Sequence, residues 1–228
     1  TGYIKRIPVD EYRVQKRGGK GLKGMETREE DYVTDIFTAS TKTMLLVFTD
    51  KGKVYWVKVH RVPLGTRVSK GKAIANVVQL SSNEKVRSIL PVEEYSENKH
   101  IVMLTEKGVI KKTSLDAFQN QRTAGIIALT TDLDDALIDA QISDGQSDIF
   151  IATKEGMSIR FNEDDVRSMG RAARGVKGIT LSKDDVVIGM EIIGKNSKDT
   201  LLMVTSKGYG KRSALDEYRV QSRGGVGI

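Results

Sequence analysis

The hydrophobic positions of the 228-residue chain form short runs that end in the same way four times. Each run ends at a threonine, and a glycine follows three residues later. A glycine at this place supplies the positive φ that a tight hairpin turn requires. The pattern therefore predicts four β-hairpins. Their segments are FTDKGKVYWVKV (48–59), LTEKGVIKKTSL (104–115), ATKEGMSIRFNE (152–163) and VTSKGYGKRSAL (204–215).

Two further markers keep the same spacing of about fifty residues, and a fixed period of this kind indicates a repeat architecture. The first marker is an Arg-x-x-x-Gly loop, with one copy a residue shorter. The second is an acidic turn before a β-branched strand, which we interpret as a solvated chain reversal. The loops are Arg17/Gly21, Arg67/Gly71, Arg122/Gly125, Arg171/Gly175 and Arg223/Gly227; the acidic turns are Glu30-Asp31, Asn83-Glu84, Asp134-Asp135 and Asp184-Asp185.

The longest internal match aligns residues 2–21 with residues 208–227 without gaps, an offset of four repeats of about 51 residues. The first repeat predicts strands at 33–40, 43–49, 54–60 and 73–79, with a short helical turn at 92–96. Four strands in about fifty residues predict an all-β, propeller-like array of four-stranded blades. We expect one domain over 1–228, a fragment of a longer array with partial blades at both ends. Its approximate repeats are 11–63, 64–118, 119–167 and 168–219.

The charge and residue composition of the chain limit the classes of function to be considered. Thirty-seven Lys and Arg against 30 Asp and Glu give a net charge of +7 and a pI near 9.4, which favours an anionic partner, nucleic acid before membrane. The chain has no Cys and only two His, so it offers no thiolate or His-rich metal set. No catalytic triad or phosphate-binding glycine motif occurs. There is no signal peptide and no apolar run of membrane-spanning length, so we expect a cytoplasmic protein without catalytic residues.

Basic residues recur in register at two places in the repeat. A charge repeated in each blade becomes a stripe, and each phosphate that it neutralises contributes about −0.9 to the log–log salt slope of duplex binding. No recognition helix is predicted, so readout would be of the DNA backbone and its bendability. The alternative is a merely solvated basic surface. One place follows the hairpin turn, at Lys5, Arg6, Lys111, Lys112, Arg160, Lys211 and Arg212, with Tyr55-Trp56 in the remaining copy; the other is the Arg-x-x-x-Gly loop.

One of these loops carries a family signature. Residues 15–21, QKRGGKG, match all seven positions of the gyrase A-box, Q-[RK]-R-G-G-[KR]-G, whereas QSRGGVG at 221–227 departs from it at Ser222 and Val226. With RTAG (122–125), MGRAARGVKGI (169–179) and SKGYGKR (206–212), nearly the whole chain resembles the C-terminal domains of DNA gyrase A subunits. The resemblance implies a six-bladed β-pinwheel in which neighbouring blades exchange strands, with about four to five blades present here.

The resemblance also implies a function: duplex DNA is bent and wrapped around a basic outer rim and presented to the strand-passage gate, so that the holoenzyme introduces negative supercoils. The implied partners are double-stranded DNA, the gyrase A breakage–reunion domain and the gyrase B subunit in an A2B2 assembly within the bacterial nucleoid. ATP and Mg would bind elsewhere in that assembly, and we expect no cofactor, metal or catalytic residue in this fragment. The implied DNA contacts are the box residues Gln15, Lys16, Arg17, Gly18, Gly19, Lys20 and Gly21, and the rim residues Lys5, Arg6, Arg67, Lys70, Lys111, Lys112, Arg122, Arg171, Arg174, Lys177, Lys211, Arg212 and Arg223.

Two alternatives remain open at this stage. A topoisomerase IV A-subunit domain would share the blades but bind DNA with little wrapping, and its box would be degenerate or missing. A propeller used as a protein-interaction platform would instead need an exposed apolar patch.

Overall fold

The computed structural model describes residues 2–12, 17–21, 24–27 and 31–228. The regular structure of this described part consists of antiparallel strands and short 3₁₀ helices. The strands are β1 (Tyr3–Ile4), β2 (Met44–Thr49), β3 (Lys53–Lys58), β4 (Lys72–Ala73), β5 (Val86–Val92), β6 (His100–Thr105), β7 (Val109–Ser114), β8 (Ile126–Ile127), β9 (Leu137–Ser143), β10 (Asp148–Thr153), β11 (Ser158–Asn162), β12 (Val176–Lys177), β13 (Val187–Ile193), β14 (Thr200–Val204) and β15 (Gly210–Ala214). The 3₁₀ helices are Val9–Glu11, Val59–Arg61, Ile74–Asn76, Leu115–Phe118, Glu163–Asp165 and Leu215–Glu217.

The four predicted hairpins are confirmed as β2–β3, β6–β7, β10–β11 and β14–β15. Their turn glycines have φ values between 69° and 87°. A strand that follows the acidic turn then pairs with the first strand of the hairpin, giving the sheet orders β5-β2-β3-β8, β9-β6-β7-β12 and β13-β10-β11. Each of these three sheets is thus built on one of the predicted hairpins.

Where a further hairpin follows in the described chain, a blade receives its outermost strand from the segment after that hairpin. After β6–β7 has formed the following blade, β8 returns and pairs with β3. In the same way β12 pairs with β7, β4 pairs with β1, and Ser158 exchanges two backbone hydrogen bonds of 2.8 Å with Ile228. This exchange of strands between neighbouring blades confirms the all-β pinwheel.

The strands β5, β9 and β13 contact one another from blade to blade and form the inner side of the array. The exchanged strands β8 and β12 lie at the opposite edges of their sheets. Strand β2 is buried along its whole length and divides its side chains between two cores. Leu46 and Phe48 pack with Phe118 towards the next blade, and Leu45 and Val47 pack with Tyr55 on the other face.

Three local predictions were wrong. Residues 33–40 contain no strand, whereas the strands that follow the other acidic turns, β5, β9 and β13, each pair with the first strand of a hairpin. Residues 92–96 contain no helix, since β5 runs to Val92 and bends follow. The strand predicted at 73–79 is only the two-residue β4, which leads directly into the 3₁₀ helix Ile74–Asn76.

The acidic turns also differ from the prediction, because Glu84, Asp135 and Asp185 are buried rather than solvated. Asp135 accepts hydrogen bonds from the backbone N–H groups of Lys107 (3.0 Å) and Ala136 (2.9 Å), and Asp185 accepts equivalent bonds from Glu155 and Val186. Glu84 accepts from the Tyr55 hydroxyl at 2.6 Å. These carboxylates satisfy turn donors that would otherwise be buried without a partner.

Candidate nucleic-acid interface

Most of the basic residues that follow the hairpin turns point into the molecule, whereas Lys211 and Arg212 are exposed. Lys111 is 0% exposed and Lys112 is 5% exposed. The Lys112 ammonium donates to the Glu163 carbonyl at 2.8 Å, and the Lys111 ammonium donates to the carbonyls of Ala128 (2.7 Å) and Arg171. The expectation that these two lysines lie on an exposed rim is wrong, because their amines satisfy backbone acceptors between blades.

The same arrangement recurs at the fourth residue after Gly2, Gly52 and Gly156, but not after Gly208, where Arg212 is exposed. Arg6 Nε donates to the Val62 carbonyl at 2.8 Å, and Trp56 Nε1 donates to the Phe118 carbonyl at 2.9 Å. Arg160 Nη1 donates to the Leu215 carbonyl at 2.7 Å and also pairs with Asp148. In each case the acceptor lies in the 3₁₀ helix of the next blade or directly after it. We call Arg6, Trp56, Lys112 and Arg160 the latch residues.

Sequence reasoning missed the latch, although one signal for it was present. Trp56 stands in the register that Arg and Lys occupy elsewhere. Indole carries no charge, so what these side chains share is a long stem that ends in an N–H donor. A mixture of Trp with Lys and Arg at one repeat position indicates a hydrogen-bond donor to protein rather than a phosphate contact.

Before two of the latch residues stands a lysine, Lys5 or Lys111, with a related role. The ammonium of Lys5 donates to three carbonyls at the loop that ends at Gly71, those of Thr66, Arg67 and Ser69, at 2.6–2.9 Å. Burial lowers the pKa of Lys5, and burial together with the nearby Arg171 lowers the pKa of Lys111 to about 8. A lysine held this way positions a loop and is not available to an external phosphate.

Four of the Arg-x-x-x-Gly loops lie at the outer edge. The loops ending at Gly71, Gly125 and Gly175 lead directly into β4, β8 and β12, and the loop ending at Gly227 leads into Ile228, which pairs with Ser158. The last glycine of every loop has a positive φ, from 70° to 91°. At Gly71 and Gly175 an added Cβ would lie 2.8 Å and 2.6 Å from a carbonyl of the strand in the preceding blade. At Gly21 nothing lies within 4 Å, so only its backbone conformation requires glycine there.

The two ends of these loops face different surroundings. The arginines that open the loops at positions 67, 171 and 223 are half-buried, and Arg223 donates to the carbonyls of Asp165 (3.0 Å) and Lys177. The residue directly before the last glycine is exposed in all five loops, and it is basic in three of them. These five residues are Lys20, Lys70, Ala124, Arg174 and Val226. The loops 67–71, 171–175 and 223–227 are therefore half-buried where they begin, and all five loops are exposed directly before their last glycine.

The remaining predicted contacts divide as follows. Gln15 and Lys16 lie outside the described residues, whereas Arg17, Gly18, Gly19, Lys20 and Gly21 are exposed. Arg174 is exposed and forms an ion pair of 2.7 Å with Asp132. Arg122, Lys177, Lys211 and Arg212 are exposed, and Lys211 lies 3.9 Å from Glu217. The structure thus gathers the loop residues at the outer edge and removes most of the post-hairpin residues from it.

Two other classes of site do not occur in the described part of the chain. It contains no group of three or more His, Cys, Asp or Glu side chains placed to hold a metal ion. No helix in those ranges is long and apolar enough to cross a membrane.

The chain is similar in sequence to known proteins of one family. A family model described as "DNA gyrase C-terminal domain, beta-propeller" matches residues 1–40, 43–93, 99–144, 147–193 and 199–228. The DNA gyrase A subunit of Haloquadratum walsbyi is 42% identical over 230 residues, which is 99% of this chain and 27% of that protein. The DNA gyrase A subunit of Staphylococcus aureus (strain NCTC 8325 / PS 47) is 44% identical over 229 residues, 100% of this chain and 26% of that protein. The chain thus spans about a quarter of the length of these relatives.

Solved structures give the same fold. A crystal structure of the C-terminal domain of DNA topoisomerase IV superposes with a TM-score of 0.82 at 26% identity, covering 100% of this chain and 69% of the other. A structure of a DNA gyrase A C-terminal domain superposes with a TM-score of 0.80 at 25% identity, covering 100% and 73%. Shape alone therefore does not separate these two relatives.

Proposed function

This chain belongs to the DNA gyrase C-terminal domain family, and on that premise we propose that it binds duplex DNA without sequence specificity and bends it along the outer edge of its blades. The observation that carries the proposal is the exposed end of the Arg-x-x-x-Gly loop, which recurs at the same place in each blade and is basic in Lys20, Lys70 and Arg174. Exposed cations at regular intervals along a curved edge suit a polymer with regularly spaced phosphates.

The gyrase A-box is the strongest of these loops. It combines the exposed charges of Arg17 and Lys20 with three glycines, and Gly18 and Gly21 have φ values of 82° and 73°. Loops of this kind present backbone N–H groups as well as side chains to phosphate oxygens. Bending a stiff duplex costs several kcal/mol. We therefore propose that the box holds one part of the duplex and that the weaker loops of the other blades hold the path beyond it.

In a longer protein like its curated relatives, the bent duplex would be presented to a strand-passage gate. We propose that the partners there are a breakage–reunion domain and a B subunit, that ATP and Mg act on those parts, and that this domain supplies no catalytic residue. The setting would be the DNA of a bacterial cytoplasm. The shape match does not separate gyrase from the topoisomerase IV alternative, whereas the complete box sequence and the curated relatives favour gyrase.

Salt dependence tests the binding. The exposed basic side chains of the described loops are Arg17, Lys20, Lys70, Arg122 and Arg174, and Lys177 is exposed on β12. Six phosphate contacts from these residues predict a log–log slope near −5. Replacing Arg17 and Lys20 by alanine should reduce the steepness of the slope by about 2. Replacing the exposed hairpin-turn residues Lys51 and Lys154 removes the same charge elsewhere and should leave the slope nearly unchanged. A flat salt dependence of the unaltered chain would overturn the proposal.

Wrapping is tested separately with nicked circular DNA that is sealed in the presence of the chain. A gyrase-type domain should shift the linking number of the sealed circles, and the Arg17/Lys20 double variant should abolish most of that shift. Tight, salt-dependent binding without any shift would favour the topoisomerase IV alternative.

A further inference from the structure

We propose that the latch residues set the angle between successive blades and thereby the curvature that the array imposes on DNA. The part about DNA rests on the proposed function, whereas the part about blade angle does not. The basis is a contact that is repeated between neighbouring blades. A side-chain N–H on the second strand of a hairpin, or shortly after β1, donates to a backbone carbonyl in or directly after the 3₁₀ helix of the next blade. Arg6, Trp56, Lys112 and Arg160 make this contact with donor–acceptor distances of 2.7–2.9 Å.

The position of the acceptor explains how the contact controls where the next exposed loop stands. In each blade the 3₁₀ helix lies between the hairpin and the Arg-x-x-x-Gly loop, for example Glu163–Asp165 between β11 and the loop 171–175. A latch that fixes this helix therefore fixes where the next exposed loop stands relative to its own blade. Since DNA resists bending over the distance between neighbouring loops, a change in loop spacing changes the path that the duplex can follow.

Three of the four latch residues are also tied to the next blade through their backbone. Parallel bridges join Arg6 to Leu64, Lys112 to Ser168 and Arg160 to Val220. The bridge at Lys112 includes a 2.8 Å bond from the Met169 N–H to the Lys112 carbonyl. Among the described residues no bridge of this kind accompanies Trp56, so its indole N–H is the latch bond of that blade junction.

The charge balance at the latch supports a structural role as well. Lys112 is 5% exposed, and its ammonium is directed at a neutral carbonyl. A buried cation is retained at a cost in desolvation, and a neutral indole is found at the same repeat position. The side chains at this position share their length and an N–H donor but not their charge. Their role is therefore to hold the blades in register and not to attract an anion.

The experiment compares variants that keep or remove the donor. Lys112→Met removes the N–H and keeps most of the stem, Lys112→Arg keeps a donor, and Trp56→Phe removes the indole N–H while keeping an aromatic ring. Because the chain has no cysteine, Ala124→Cys and Ala172→Cys allow spin labels on the exposed loops on either side of the Lys112 junction. Arg212→Met is the matched control, because Arg212 stands in the same register but is exposed.

Without DNA, the label-to-label distance distribution should broaden in Lys112→Met and stay narrow in Lys112→Arg and Arg212→Met. With DNA, Lys112→Met and Trp56→Phe should trap about twofold less linking difference at an unchanged salt slope. Identical distances and identical linking difference in all variants would overturn the inference. If the unaltered chain binds DNA without salt dependence, the proposed function fails, and the distances still decide whether the latch sets blade angle. If Lys112→Met does not fold, Trp56→Phe with labels on its own flanking loops takes its place.

Discussion

Two basic regions of the repeat look alike in sequence and have opposite surroundings in the fold. The region after each hairpin turn contains Lys111, Lys112 and their counterparts. Most of these are buried or half-buried and donate to backbone carbonyls, whereas Lys211 and Arg212 after the fourth hairpin turn are exposed. The region at the end of each Arg-x-x-x-Gly loop contains Lys20, Lys70 and Arg174, which are exposed. Both regions recur about every fifty residues and both carry Lys and Arg, so periodic charge alone does not indicate a binding surface.

The difference arises from the backbone around each region. A hairpin strand has a neighbouring strand on each side and packs against the next blade. A long side chain there lies beside backbone carbonyls that need a partner, and it donates a hydrogen bond to them. A loop end beside a positive-φ glycine has strand on one side only, and its side chain meets water. Charge has a different consequence in the two settings, and substitutions can separate them.

Charge reversal should give the largest contrast. In Lys111→Glu a carboxylate would face the carbonyl oxygens of Ala128 and Arg171, and we expect the free energy of unfolding to fall by about 3–5 kcal/mol. In Lys70→Glu the side chain stays in solvent, and the free energy of unfolding should change by less than about 0.5 kcal/mol. Denaturant titration of both variants measures the contrast.

DNA binding should respond in the opposite sense. Under the proposed function, Lys70→Glu should weaken DNA binding at low salt and reduce the steepness of the salt slope by about 1. Loss of stability in Lys70→Glu, or a stable Lys111→Glu chain with weakened DNA binding, would contradict the division into an inner and an outer region.

Much of the fold could be predicted from the sequence because hairpin turns are local. The Thr-x-x-Gly pattern located all four turns, and the period of about fifty residues gave the number of strands in a blade. Pairing partners far apart in sequence could not be read from it. The segment 33–40 has the pattern of an inner strand and still forms none in this chain, because a strand is defined by its neighbour and not only by its own residues.

The candidate site was predicted less completely. The loops were located correctly, and Lys20, Lys70 and Arg174 are exposed as expected. Lys111 and Lys112 were assigned to the same rim because their spacing is equally regular, and spacing does not report the direction of a side chain. The buried acceptors that bind them lie about fifteen to sixty residues away, so only the fold shows that the lysines are already occupied.

The pKa of Lys111 gives a second, smaller contrast between the regions. Burial lowers this pKa from 10.5 to about 8, so between pH 8 and pH 10.5 the unfolded chain binds the proton more tightly than the folded chain does. Stability then rises with pH in this interval, because deprotonation relieves the cost of burying the charge. Between pH 7 and pH 9 the wild type should gain about 1 kcal/mol relative to Lys111→Met, which has no amine to titrate. Lys70→Met is the exposed control; it keeps Lys111, so the wild type should show no pH-dependent gain relative to it. If the stability curves of Lys111→Met and the wild type ran parallel against pH, the prediction would be contradicted.

The smallest effect is expected at the ion pair between Arg174 and Asp132, whose two side chains are 72% and 65% exposed. Exposed pairs contribute little to stability, so Asp132→Asn should change the free energy of unfolding by less than about 0.5 kcal/mol. Under the proposed function, the substitution frees Arg174 for phosphate and removes a repelling charge from the outer edge. DNA affinity should therefore rise at low salt, and the gain should disappear at high salt because screening removes it. Asp134→Asn is the matched control, since it removes the same charge from an exposed pair with Lys107 at a hairpin turn. An equal gain in both variants would mean that DNA responds to net charge alone and not to the loop ends.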